Sequence, residues 1–226
     1  MYMAARVGSD IVENGLVLAL DAADKLSYPG SGTAWYDLSG NSNTGTLTNG
    51  PTFSAANMGS IVFDGTNDYV DCGNNSSLQI TQGTISAWVK STTNDSTFRG
   101  IIVKATNYGL FIKNGYLVTY DWGNVVERAS TTSIIDGNWK NVAMTFTTNT
   151  GTPSNNAILY VNGVAVLTTT IKFSADDIQL LLGLGHPQSA SQWLNGSIAN
   201  SLVYNRVLTA AEILKNYTAT KSRFGL

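Results

Sequence analysis

The chain predicts an all-β fold, two antiparallel sheets packed as a sandwich, with one short C-terminal helix. Three observations carry this expectation. Turn dipeptides recur between short apolar runs, side chains alternate over strand-length segments, and a single segment combines a helical stripe with a helix-start signal. Asn49-Gly50, Asn114-Gly115, Asn162-Gly163 and Asn195-Gly196 are expected turns, as is Gly123-Asn124. Asn-Gly accepts the positive φ angles that a tight hairpin turn requires. The clearest hairpin joins 158–161 to 164–167, and the second joins 111–113 to 116–120.

Alternation assigns the faces. In 84–90, Ile85, Ala87 and Val89 point one way, and Ser86, Trp88 and Lys90 the other. In 140–146, Val142, Met144 and Phe146 share a face that is expected to be core. The helix starts at Thr209-Ala210-Ala211-Glu212, a capping box that leads into Ile213, Leu214 and Tyr217. Residues 1–14 lack a period and are expected to form an N-terminal arm or edge strand, and 15–226 a single domain.

Composition narrows the function. The 226 residues are 43% hydrophobic but only 12% charged, with thirteen basic and fifteen acidic residues and a net charge of −2. No basic stripe exists to release counterions from a phosphate backbone, so nucleic acid is not an expected partner. The longest late apolar run, 178–184, is too short to span a bilayer, so no membrane insertion is expected. The first apolar run, 16–20, has no basic lead-in, and no signal peptide is expected. One cysteine, Cys72, and one histidine, His186, exclude a disulfide and a thiolate- or imidazole-rich metal cluster.

Five blocks carry a family resemblance. They are Phe63-Asp64-Gly65 with Asp68-Tyr69-Val70, then Gly83 to Lys90, Trp139 with Val142, Leu159 to Val164, and Leu194 to Ile198 followed by Tyr204 to Leu208. In this order they resemble the laminin-G-like domains of the concanavalin A-like lectin/glucanase superfamily. That resemblance implies a jelly-roll sandwich. The front part, Leu20 to Asp24, Trp35 to Asn41 and Gly45 to Leu47, resembles versions of the domain in tailed-bacteriophage structural proteins. It implies a virion location on the particle surface, as a decoration or appendage.

Some relatives on this fold are retaining glucanases, which need two carboxyl groups about 5 Å apart. The three glutamates, Glu13, Glu127 and Glu212, lie on no common strand, so no catalytic residue is assigned. The resemblance also implies one structural Ca2+, for which Asp37, Asn41, Asn43 and Asp64 are the oxygen donors on offer. Ala199 stands where the family's closing strand often has Asp, and Asp37 and Asn41 have the alternative use of closing Asx turns.

A pyranose offers an apolar face and a rim of hydroxyls, so a sugar site needs an aromatic platform beside hydrogen-bonding groups. Trp35, Trp88 and Trp139 lie inside the family blocks and are expected to pack. Trp122 is different: with Tyr120, Asp121 and Asn124 it occupies a polar hairpin tip. Asn107 and Tyr108, His186, and Trp193 are the other expected loop contacts. The expected function is non-catalytic binding of a host-surface glycan or another virion protein. The alternatives are a lattice-capping cement protein without sugar binding, a homo-oligomer of that kind, and an accessory module of an enzyme.

Overall fold

The computed structural model describes residues 10–147, 155–173 and 178–226. Its strands are β1 (Leu16–Asp21), β2 (Ala34–Trp35), β3 (Gly45–Thr48), β4 (Thr52–Ser54), β5 (Ser60–Asp64) and β6 (Tyr69–Asp71). There follow β7 (Gly83–Lys90), β8 (Arg99–Lys104), β9 (Tyr108–Lys113), β10 (Tyr116–Asp121) and β11 (Val126–Ser133). The last are β12 (Lys140–Phe146), β13 (Ala157–Val161), β14 (Val164–Thr169), β15 (Leu180–Leu182) and β16 (Asn195–Tyr204), before helix α1 (Ala210–Thr220).

Two antiparallel sheets result. The first runs β14-β13-β12-β7-β16-β5-β4, with β1 also paired to β16; the second runs β11-β10-β9-β8-β15-β6-β3-β2. This is the jelly-roll sandwich the sequence predicts. Both Asn-Gly hairpins form, with Asn114 and Gly115 at φ 50° and 79° and Asn162 and Gly163 at 51° and 78°. Asn49-Gly50 also turns the chain, but it carries it from one sheet to the other, since β3 and β4 belong to different sheets. Asn195-Gly196 is not a turn. It opens β16, whose partners β1, β5 and β7 are all remote in sequence, so there is no adjacent strand to fold back on.

Between the sheets lies one core. Ile85, Ala87 and Val89 of β7 and Val142, Met144 and Phe146 of β12 meet Leu110, Ile112 and Leu117 of the second sheet. Truncating one such large side chain to Ala would cost about 2–5 kcal/mol, since the packed neighbours relax only in part. Cys72 belongs to this core, and burial pushes its thiol well above the usual range, so it is inert.

The outer face of the first sheet is covered as well. Thr209 Oγ1 accepts the Glu212 N–H at 3.2 Å while the Glu212 carboxylate accepts the Thr209 N–H at 2.9 Å, the expected capping box. Helix α1 lays Ile213 on Ala143, Tyr160, Leu202 and Tyr204. Trp88 stacks on Phe224 at 4.1 Å and donates from Nε1 to Thr220 Oγ1 at 2.8 Å. Both faces of β7 are therefore buried.

The described end of the expected arm also packs here. Ile11 and Val12 join the cluster under α1, Val12 N–H donates to Asn216 Oδ1 at 2.8 Å, and Val12 O accepts from Tyr204 Oη at 2.8 Å. Residues 1–9 lie outside the described residues.

Candidate functional site

The outward face of the second sheet carries a patch that alternation places there. Leu110, Ile112 and Leu117 point into the core, so Phe111 and Val118, cross-strand partners in the β9–β10 hairpin, point out. Tyr120 lies two residues further along the same face. Trp122 follows at the hairpin tip and Phe98 precedes β8. Four rings thus meet: Phe98 lies 5.5 Å from both Phe111 and Tyr120, and Trp122 lies 5.6 Å from Tyr120 and 6.2 Å from Phe111. The tilted and edge-on geometries are those that aromatic pairs prefer, and Phe111 is buried at the base of the cluster while Phe98, Tyr120 and Trp122 are only partly buried.

The segment 183–193 folds back over this patch. Gln192 O accepts from Gly185 N–H at 3.1 Å and Gly100 N–H at 3.2 Å, and Leu184 bridges Trp193. Gly100 must be glycine, because a Cβ there would stand 2.2 Å from the Leu184 carbonyl carbon. Arg99 clamps the segment from beneath. Its Nη1 donates to Trp193 O at 2.9 Å and Ser191 O at 3.3 Å, and its Nη2 binds Asp95 at 2.5 Å. This guanidinium contact holds the Asp95 carboxyl below the usual carboxylate range.

Between segment and rings opens a cleft of about 440 Å3. Phe98, Phe111, Tyr120 and Trp122 form one wall, and His186, Gln188, Ser189 and Gln192 the other. His186 Nδ1 accepts the Gln188 N–H at 3.2 Å, which directs the ring's N–H to Nε2, and Nε2 has no protein partner among the described residues. Aromatic faces opposite hydroxyl, amide and imidazole groups suit a ligand with an apolar face and a polar rim.

A larger cleft, of about 670 Å3, lies beside the C-terminal turn. No aromatic ring is among its described lining residues, and its charged groups Asp21, Arg223 and Asp24 are engaged: Asp21 pairs with Arg223 at 2.7 Å, Arg223 also donates to Asn57 O and Gly59 O, and Asp24 accepts the Leu26 N–H. We therefore take the smaller, aromatic cleft as the site.

A family model described as the concanavalin A-like lectin/glucanases superfamily, of laminin G type, matches residues 64–214, which include the whole aromatic cleft. The chain belongs to that superfamily. No curated protein matches it. Among solved structures, Trypanosoma rangeli sialidase in complex with sialic acid aligns with a TM-score of 0.69 at 15% identity, over 92% of this chain and 33% of that one. The binding domain of Paraclostridial Mosquitocidal Protein 1 aligns with a TM-score of 0.67 at 16% identity, over 91% of this chain and 52% of that one. This chain thus spans about a third of the sialidase and about half of the second structure, and at such identities the likeness concerns the fold alone.

For this member of the concanavalin A-like superfamily, the expected ligand residues divide sharply. Trp122, Tyr120 and His186 come together in the cleft. Tyr108 does not: it begins β9, is fully buried, stacks on Phe146 at 5.1 Å and donates to Leu78 O at 2.8 Å. Alternation from Leu110 and Ile112 turns it inward, so it is a core residue. Asn107 sits in the preceding turn, where its N–H donates to Lys104 O.

Asp121 is also buried. Burial pushes its carboxyl up, but hydrogen bonds from Asn124, Arg128 and the Lys172 N–H outweigh this and hold it below the usual range. Asp121 and Asn124 therefore shape the hairpin tip that presents Trp122, and the Asp121 carboxylate has no face left for a ligand. Trp193 packs on Tyr69 at 6.0 Å and does not line the cleft. Phe98, Phe111, Gln188, Ser189 and Gln192 are missing from the sequence prediction. For Phe111 a signal existed, because the two-residue turn at 114–115 fixes it opposite Val118 and on the face of Tyr120.

The residues expected to bind calcium do not fit a cation. Asp37 Oδ1 accepts the N–H groups of Ala19 and Ser39, both at 2.9 Å, and Oδ2 accepts Ser39 Oγ at 2.8 Å and Asn43 N–H at 2.9 Å. Asn43 Oδ1 accepts from Asn75 at 2.8 Å, and Asn41 donates its amide to Ser39 Oγ at 3.1 Å. The Asp37 and Asn43 oxygens face donors, whereas Ca2+ takes six or more oxygen ligands. Asp64, at the end of β5, turns instead to the Thr66 N–H at 2.8 Å. Hydrogen bonds hold this loop to β1 in the place of an ion. Among the described residues, no group of three or more His, Cys, Asp or Glu side chains is placed to hold a metal.

Proposed function

We propose that this lectin-like domain is a non-catalytic binding module that takes a carbohydrate in the cleft between Trp122 and His186. One observation carries the reading: the partly exposed rings of Phe98, Tyr120 and Trp122, backed by the buried Phe111, face a wall of His, Gln and Ser closed by a clamped segment. The rings supply stacking for the CH face of a sugar, and the opposite wall supplies hydroxyl partners. Among the described residues no carboxylate lines the cleft, whereas hydrolysis of a glycosidic bond generally draws on a pair of them. Glu127 is engaged with Lys113 and Glu212 with Arg206, each away from this lining, which also supports binding without catalysis.

The proposed setting is the surface of a phage particle, on the resemblance carried by Leu20 to Leu47, with the N-terminal arm, residues 1–14, as the tether. Removing residues 1–9 leaves Ile11 and Val12 in place, so the domain is expected to fold and to lose its particle; particles that keep the shortened domain would refute the tether. For the binding itself, a glycan array is the test. Wild type is expected to select a subset of glycans, and Trp122→Ala to lose them with its circular dichroism unchanged. Selection that survives Trp122→Ala would exclude this cleft.

A further inference from the structure

Resting on the reading of the cleft as a sugar site, we infer that its ligand is an uncharged glycan and that acidic sugars are excluded. The argument is one of charge. Nine of the described residues line the cleft, and none of these is Lys, Arg, Asp or Glu. A carboxylate or sulfate taken from water into such a site forfeits hydration and needs a cation or several aligned N–H donors to replace it.

Three of the nearby cations are already committed, and the fourth stands outside the lining. Arg99 is bound to Asp95 and to the carbonyls of Ser191 and Trp193, so all of its reach goes into the closing segment. Lys113 lies over the Phe98 ring, 4.2 Å from its centroid, and its ammonium is paired with Glu127. Arg128 pairs with the buried Asp121 at 3.1 Å and donates to Thr170 O. Lys172 packs against Gly123 and does not line the cleft. Drawing any of the first three toward an anion would leave Asp95, Glu127 or Asp121 without its partner, and for the fully buried Asp121 that cost is largest.

What remains suits hydroxyls. His186 offers an Nε2–H donor, fixed by the Gln188 N–H on the other ring nitrogen. Gln188 and Gln192 each offer an amide with both donors and acceptors, and Ser189 a hydroxyl. Neutral hydroxyls need such two-way partners, and the ring wall needs a sugar face free of charge. Discrimination thus comes as much from what the cleft lacks as from what it contains.

The test titrates the full chain with neutral trisaccharides (maltotriose, cellotriose, N,N′,N″-triacetylchitotriose) and N-acetyllactosamine, and with 3′-sialyl-N-acetyllactosamine and a trigalacturonide, by calorimetry. Neutral sugars are expected to bind and the acidic ones to bind about tenfold or more weakly. Ser189→Lys, which places a cation on the rim without touching the rings, is expected to recover acidic sugars. Acidic sugars binding as tightly as neutral ones, with loss in Trp122→Ala, would overturn the neutral preference and leave the carbohydrate reading standing. Saturation by none of them at millimolar concentration would remove both.

Discussion

Tyr108 and Trp122 are aromatic residues of the same sheet with opposite assignments, and each assignment predicts its own loss. Tyr108 is enclosed between Phe146 and the Leu78 carbonyl, so Tyr108→Ala is expected to cost about 3–5 kcal/mol in chemical denaturation. Trp122 is half-buried against two rings, and Trp122→Ala is expected to cost only about 1 kcal/mol, the worth of those contacts, while abolishing ligand binding. Equal stability losses would contradict the division. Gly100 is the third informative residue. Its Cβ would drive the closing segment off β8, so Gly100→Ala is expected to cost about 1–3 kcal/mol and to weaken binding without touching a ligand contact. Unchanged binding in that variant would mean that the segment does not form the second wall.

Among the elements, α1 makes the clearest pH prediction. Hydrogen bonding to Arg206, then to the Thr209 N–H, lowers the Glu212 carboxyl from 4.5 to about 2. A group lowered on folding stabilises the fold fully above its unfolded value of 4.5 and loses that contribution as pH falls toward about 2. Glu212→Gln is expected to flatten this part of the stability–pH curve, and Thr209→Ala to cost about 1 kcal/mol at neutral pH, both read from denaturation midpoints. An acid limb identical in Glu212→Gln and wild type would refute the assignment. This helix was legible in sequence because its start is set by local chemistry, a Thr and a Glu three residues apart. The Asn-Gly hairpins were legible for the same reason. Asn195-Gly196 misled because a dipeptide reports on local backbone and not on which strand lies alongside.

At the scale of the molecule, two faces of a sheet look alike in sequence until the layers are assembled. Trp88 alternates away from the core, and alternation alone does not show that α1 and Phe224 bury it; its place in a family block led to the expectation that it packs. Trp122 alternates no differently and remains at an opening. The fold was readable because alternation and turns act over a few residues. The site was readable only in part, through Trp122, Tyr120 and His186, because its second wall comes from a segment some sixty residues further on, brought there by β8–β15 pairing. The use of Asp37 and Asn43 was hidden for a related reason: they have side chains suited to a cation, but their oxygens accept from backbone and side-chain donors that only the fold brings near.

The most direct test of the central claim is a crystal structure of the full chain soaked with the neutral oligosaccharide that binds it best. The sugar ring is expected over Trp122 and Tyr120, with a hydroxyl within hydrogen-bonding distance of His186 Nε2. Density for the sugar at the C-terminal turn beside Arg223, or anywhere else with the aromatic cleft filled only by water, would contradict it.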